Sequence, residues 1–305
     1  MSLISASKEG DLTTLSRLLN DGADIETRNK SRRTALHAAA AHGQIETLDF
    51  LISNNADIEA EDKDSWSPLH HAANNGHSEA IRRLVAAGAN TEASTDDIAR
   101  YDRKENREYQ KKNNFGPSMA STAIHKRKSK PLHLAASRGH SEAVKILLDL
   151  GAQTESNDDY NHKPLHKAAC RGHIEIMNHL LDSGANIESV NEQGEKPLHY
   201  AAEHNQVDAV KFLIERGANI EAEDNRKIRP IHLAAESSNV YWMFQPGQKK
   251  KTMSAYNSTP STTTTTSQKQ MNWTNYQLIV SLQTTLKTST SHSIFYMTFM
   301  HFSNL

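Results

Sequence analysis

The chain has 305 residues, 36% apolar and 23% charged, enough to build a folded core. Its net charge of −1 hides a division: all 36 acidic residues and 30 of the 35 basic ones lie in 1–240, a net of −6, while the last 65 residues carry five lysines and no acid. The single cysteine, Cys170, excludes an internal disulfide, no run approaches the ~20 apolar residues that span a bilayer, and MSLISASKEGDL lacks the basic and apolar regions of a secretory signal.

Three short frames recur in phase. TALH, SPLH, KPLH, KPLH, KPLH and RPIH begin at 34, 67, 130, 163, 196 and 229, at steps of 33 except for one step of 63. Gly22, Asn55, Gly88, Gly151, Gly184 and Gly217 each precede Ala, a polar residue, Ile or Thr, then Glu. Gly10, Gly43, Gly76, Gly139 and Gly172, with Asn205 in the sixth copy, form the third frame. In chain order this predicts an N-terminal unit at 1–29, which begins at its first helix and acts as a cap. Units at 30–62 and 63–95, an insert at 96–125, and units at 126–158, 159–191 and 192–224 follow. A partial unit occupies 225–240.

The copy at 159–191 shows why each unit folds. NDDYNH at 157–162 is a polar turn, and Pro164 suits a first helical turn, where its missing N–H is not needed. Leu165, Ala168 and Ala169 make a short apolar face, and Gly172 ends that helix. Ile174, Ile176, Met177, Leu180 and Leu181 are the stripe of a second helix, ended by Gly184. Two such helices cannot bury their own faces, so neighbouring units must stack.

The 33-residue period, the Pro-Leu-His frame, the Ala-Ala pair, the Gly-His step and the Leu-Leu…Gly-Ala ending resemble the ankyrin repeat. The resemblance covers about 1–240. It implies an all-α solenoid with β-hairpin fingers, built of about six stacked repeats and a broken seventh. The fingers and inner helices are expected to form one concave face.

Six histidines in one frame raise the possibility of a metal array. Equivalent atoms of stacked units lie in a row, whereas a metal needs ligands converging to ~2 Å. His37, His70, His133, His166, His199 and His232 are therefore read as structural, and the resemblance implies that they bond around the start of the first helix. His77, His140 and His173, in the Gly-His step, are read likewise. No cofactor or metal site is expected. The frame departs from the family at its first residue. Only Thr34 and Ser67 keep a hydroxyl, so helices led by Lys130, Lys163, Lys196 and Arg229 are expected to lose roughly 0.5–2 kcal/mol of capping each unless the loop compensates.

The insert enters at the finger between the third and fourth repeats, where about 30 extra residues add roughly 2 kcal/mol of closure entropy. Residues 98–112 read as a charged helix, 113–124 as a flexible link, and HKRKSK at 125–130 as a solvated loop, a nuclear import signal or a nucleic-acid contact. After RPIHLAAESSNV the period stops, because Pro246 and Gly247 fall where the second helix needs its leucines. YWMF at 241–244 is expected to cover part of the last face. The tail 241–305 as a whole reads as disordered or divergent, with 22 Ser or Thr among its 65 residues.

No nucleophile–base pair, phosphate loop or metal motif is present, so an enzyme is not expected. Cys170 reads as packing. The expected function is a non-catalytic, monomeric scaffold or adaptor that binds one or more proteins. The alternative is the targeting part of a larger effector such as a channel, ligase adaptor, kinase or acyltransferase. At −6, the repeat region does not suit nucleic acid. A cytoplasmic location is expected, with nuclear entry through 125–130. Candidate partner contacts are Arg32, Arg33, Trp66, Tyr160, His162 and Arg226 on the fingers, His71, Lys167 and Tyr200 after the frame histidine, and Arg138 and Arg171 before the glycine.

Overall fold

The structure is a computed structural model that describes residues 1–95 and 128–237. The expected helix at 98–112, the link at 113–124, the import signal through 127, the break near 240, YWMF and the tail lie outside the described residues. The chain divides into two compact units. The first takes 1–168 and 175–186, and the second takes 169–174 and the chain from 187.

The first unit opens on α1 (Leu3–Glu9) and α2 (Leu12–Asn20). Ser2 and Ser5 cap α1 reciprocally, each side chain accepting the other's backbone N–H at 3.2 and 3.0 Å. Asp11 Oδ1 accepts the Thr14 N–H at 3.0 Å to start α2. Then come α3 (Ala35–His42) with α4 (Ile45–Ser53), α5 (Pro68–Asn75) with α6 (Ser78–Ala86), and α7 (Pro131–Arg138) with α8 (Ser141–Asp149). The first helices pack in the order α1, α3, α5, α7 and the second in the order α2, α4, α6, α8. Helices α9 (Pro164–Arg171) and α10 (Ile174–Asp182) begin the next copy. In the second unit α11 (Pro197–Glu203) packs on α12 (Val207–Glu215) and on α13 (Pro230–Ser237).

The Ala-Ala pairs Ala39/Ala40, Ala72/Ala73, Ala135/Ala136 and Ala201/Ala202 are fully buried, which lets first helices approach closely. Second helices bury Leu48/Leu51, Ile81/Leu84, Val144/Leu147 and Val210/Leu213 completely. Each such side chain contributes about 1.5–3 kcal/mol.

Polar ladders set the register. The glutamate that closes the Gly-Ala frame accepts a backbone N–H from the following repeat: Glu26 from Asp57, Glu59 from Asn90, Glu92 from Gln153, Glu155 from Asn186 and Glu188 from Asn219, all at 2.7–2.9 Å. The Gly-His step is a second ladder. His77 Nε2 donates to Ala41 O at 3.0 Å and His140 Nε2 to Asn74 O at 2.9 Å. A Cβ on Gly43 would lie 2.6 Å from the His77 ring, and Gly43 holds φ +67°, so that position is closed to other residues twice over.

Two expectations are revised. Among the described residues no β-strand forms, and the fingers are tight turns rather than paired strands. The expected loss of capping is also offset. In all six copies the frame histidine turns Nδ1 back to accept the N–H of the frame's first residue: Thr34, Ser67, Lys130, Lys163, Lys196 and Arg229, at 3.1–3.4 Å. That cap uses a backbone donor, so it does not depend on the first side chain. The long cations then reach the ladder instead: Lys130 to Glu92 at 2.7 Å, Lys196 to Glu188 and Arg229 to Glu221 at 2.5 Å. Lys163 bonds Asn157 and Asn161.

Candidate partner interface

Each finger starts on a short polar residue whose side chain folds the turn. Asn29, Asp62, Asp158, Asn191 and Asp224 each use Oδ1 to accept N–H groups two and four residues on, at 2.8–3.1 Å. A backbone bond closes the base, as from Asp62 N to Trp66 O at 3.0 Å. The fourth residue of each turn is left-handed: Arg32, Ser65, Asn161, Gly194 and Lys227 all have φ between 51° and 76°. Adjacent fingers share one rung, Lys63 N to Ser31 O and Asn225 N to Gln193 O, both 2.9 Å. The frame histidine's Nε2 donates to the next finger's last carbonyl, His37 to Trp66, His133 to His162 and His199 to Ile228, at 2.9–3.2 Å.

The third finger keeps the base and changes the tip. Thr95 stands at the Asx position and Ser129 where Trp66 stands one repeat earlier. Ser129 N donates to Thr95 Oγ1 at 3.0 Å, and Thr95 N to Ser129 O at 3.4 Å. The insert therefore replaces the three tip residues of an ordinary finger. Glu92 still finds Gln153, and α5 still packs on α7.

The Asx side chains also gather several of the predicted contact residues beneath the fingers. Asp62 Oδ2 accepts from His71 Nε2 and Arg33 Nε, both at 3.0 Å. Asp158 binds Lys167 Nζ at 2.6 Å and His162 Nδ1 at 3.0 Å. Asn191 Nδ2 donates to the Tyr200 hydroxyl at 3.0 Å. His71, His162, Lys167 and Tyr200 are buried, and these bonds hold the turns. Burial works to raise the Asp62 carboxyl, but the His71, Asp64, Trp66 and Arg33 donors reverse this and hold it well below the usual carboxylate range. Asp158 is held low in the same way, its burial outweighed by His162 and Lys167. Burial and the neighbouring Glu195 push the Tyr200 hydroxyl up. The frame imidazoles of His37, His70 and His133 are lowered to about 4, chiefly by burial.

Arg32 and Arg226 are exposed, and Arg33, Trp66 and Tyr160 are half-buried on the fingers. The Trp66 indole lies 5.0 Å from His71 and 6.3 Å from His70, ring to ring. Arg226 is anchored to Asp224 and Glu195 at 3.0 and 3.1 Å. The structure does not bring Arg138 to the fingers. It sits at the far end of α7, about 12 Å along the helix, and lines an open groove of about 480 Å³ with Asn74, Asn75 and His140. Arg171 occupies the matching end of α9 and is exposed. The Asx residues themselves are not singled out by the sequence motifs, although Asn29, Asp62, Asp158, Asn191 and Asp224 keep the period. Among the described residues no cluster of three or more His, Cys, Asp or Glu could hold a metal, and no helix is long and apolar enough to cross a membrane.

A family model described as "Ankyrin repeats (3 copies)" matches residues 3–95, 110–191 and 184–253. The chain belongs to the ankyrin-repeat family. The crystal structure of the human ASB11 ankyrin repeat domain is similar in fold, with a TM-score of 0.61 and 21% identity over 76% of this chain and 91% of that one. No curated protein matches. An ankyrin array is a protein-interaction module, typically non-catalytic.

Proposed function

We propose that this ankyrin array is a scaffold or adaptor that binds a partner protein through its fingers and the adjoining first-helix face, without catalysis. The observation that carries this reading is the constancy of the turns beside the diversity of their tips. Five fingers share one Asx geometry, yet present Lys30 and Arg32, Lys63 and Trp66, Asp159 and Tyr160, Glu192 and Gln193, and Arg226 and Lys227. Turns preorganised in this way lose little entropy on binding. Trp66, Arg32, Tyr160 and Arg226 make the contacts in this reading. Arg33 joins them while His71, His162, Lys167 and Tyr200 position the turns, and Arg138 and Arg171 serve a second, distant contact. The array takes 1–240 and the tail 241–305 is separate. The protein acts as a monomer in the cytoplasm, with entry to the nucleus through 125–130, and nucleic acid is not its partner.

The test is affinity capture from source cells with the full chain, the full chain lacking 98–127, and Trp66→Ala. Partners retained without the insert but lost with Trp66→Ala support recognition by the repeat fingers. A leading partner lost with the insert places recognition on the long finger instead. Capture unchanged by Trp66→Ala refutes the role given to that residue.

A further inference from the structure

The fingers at 29–33 and 62–66 together carry four cations and two acids, Asp62 and Asp64, in an otherwise acidic part of the chain. Residues 1–95 hold nine Lys or Arg and fourteen Asp or Glu, yet four of the nine cations fall in these ten finger positions. Arg33 is committed to Asp62. Lys30, Arg32 and Lys63 make no side-chain hydrogen bond or ion pair among the described residues. The two tips are held together by the Lys63 N to Ser31 O bond at 2.9 Å, so these three cations share one small surface. Beside them stands the half-buried Trp66 indole, stiffened against His70 and His71.

Of the anions at hand, one is committed within the turn. Asp62 is buried, paired with Arg33 and hydrogen-bonded by His71. Asp64 shares the tip of the second finger, and the exposed Asp57, Glu59 and Glu61 border it on the preceding segment. A long polyanion such as nucleic acid needs a continuous cationic track, and these acids interrupt it. A short acidic stretch with one apolar side chain fits the cations and the indole together.

We infer that these two fingers are a docking surface for an acidic peptide segment that carries an apolar residue placed on Trp66. This rests on the interaction-module reading above and names the chemistry of the partner.

The test is fluorescence anisotropy of the full chain with a labelled short peptide of alternating aspartate and glutamate around one leucine. Single-stranded DNA of the same length is the competing polyanion. The expected result is peptide binding that weakens at least about tenfold in the double variant Arg32→Glu/Lys63→Glu, about fivefold in Trp66→Ala, and further as salt rises from about 50 to about 300 mM. Arg82→Glu, on α6, leaves it unchanged and controls for bulk charge. The proposal is overturned if the double charge reversal leaves peptide affinity unchanged, or if the DNA binds more tightly than the peptide. If the same reversal abolishes capture of the cellular partner while peptide binding is unaffected, the fingers remain an interface and the acidic chemistry is wrong. If neither responds, both readings fall for these two fingers.

Discussion

Acid should destabilise this array well above the carboxylate range, because its frame histidines are buried neutral. His37, His70 and His133 are at most 1% exposed, and each is lowered from 6.5 to about 4, first by burial. In the unfolded chain they take up protons below pH 6.5, and in the folded chain only near 4. Unfolding therefore binds protons between those limits. Stability is full above pH 6.5 and falls as pH drops toward 4. From pH 7.5 to 5.5 the loss is about 1.3 kcal/mol for each group and about 4 kcal/mol for the three, a large part of a typical 5–15 kcal/mol. His199, also lowered, adds to it, and His204, raised through its bond to Cys170 against the opposing effect of burial, works the other way. Asp62 and Asp158 are depressed carboxylates whose contribution is lost only below about pH 4. Urea unfolding at pH 7.5, 6.5 and 5.5 measures the slope, and proton NMR of the imidazoles measures the midpoints. His133→Gln should weaken the fold at neutral pH and remove about a third of the slope. Stability that stays within about 1 kcal/mol across this range, or imidazoles that titrate near 6.5, would refute the reasoning.

Asp158→Ala strands the Lys167 ammonium in a buried site and should cost about 3–5 kcal/mol in chemical unfolding, whereas Lys167→Met at the same pair should cost distinctly less. A larger loss from Lys167→Met would contradict the assignment of Asp158 as the organiser of that turn. Asn205 holds φ +56° at a glycine position and has a buried Oδ1 with no hydrogen bond, so Asn205→Gly should stabilise by about 0.5 kcal/mol; a lower urea midpoint would count against this. Replacing 96–128 with Lys-Asp-Ser, the tip of the second finger, should leave the fold intact and shift its stability upward by roughly 2 kcal/mol or less. Loss of cooperative unfolding in that variant would show that the insert holds the repeats together.

The repeat frame is legible in the sequence because its cues lie within four or five residues of one another. Pro131, Leu132 and His133 announce a helix start, and Gly139 with His140 its end. What is not legible depends on partners in the next helix or the next repeat. Asp62 reads as a polar loop residue until His71, nine positions on, and Arg33, one finger back, are seen to converge on it. By residue type Lys167 and Tyr200 look like surface contacts, and their burial follows only from the Asx turn above them. The loss of cap hydroxyls at Lys130 and Lys196 is plain from residue type. Its compensation is hidden, because the histidine that makes the cap looks in the sequence like a frame marker alone.

The root of the third finger has a further consequence. Thr95 and Ser129 close the base of this finger across the insert. This finger base is thus a socket that takes chain of another length while Glu92 still meets Gln153 and α5 still packs on α7. Such an architecture lets recognition change at one repeat while the load on the others stays the same, and it marks the 95/129 junction as the place to graft a foreign loop.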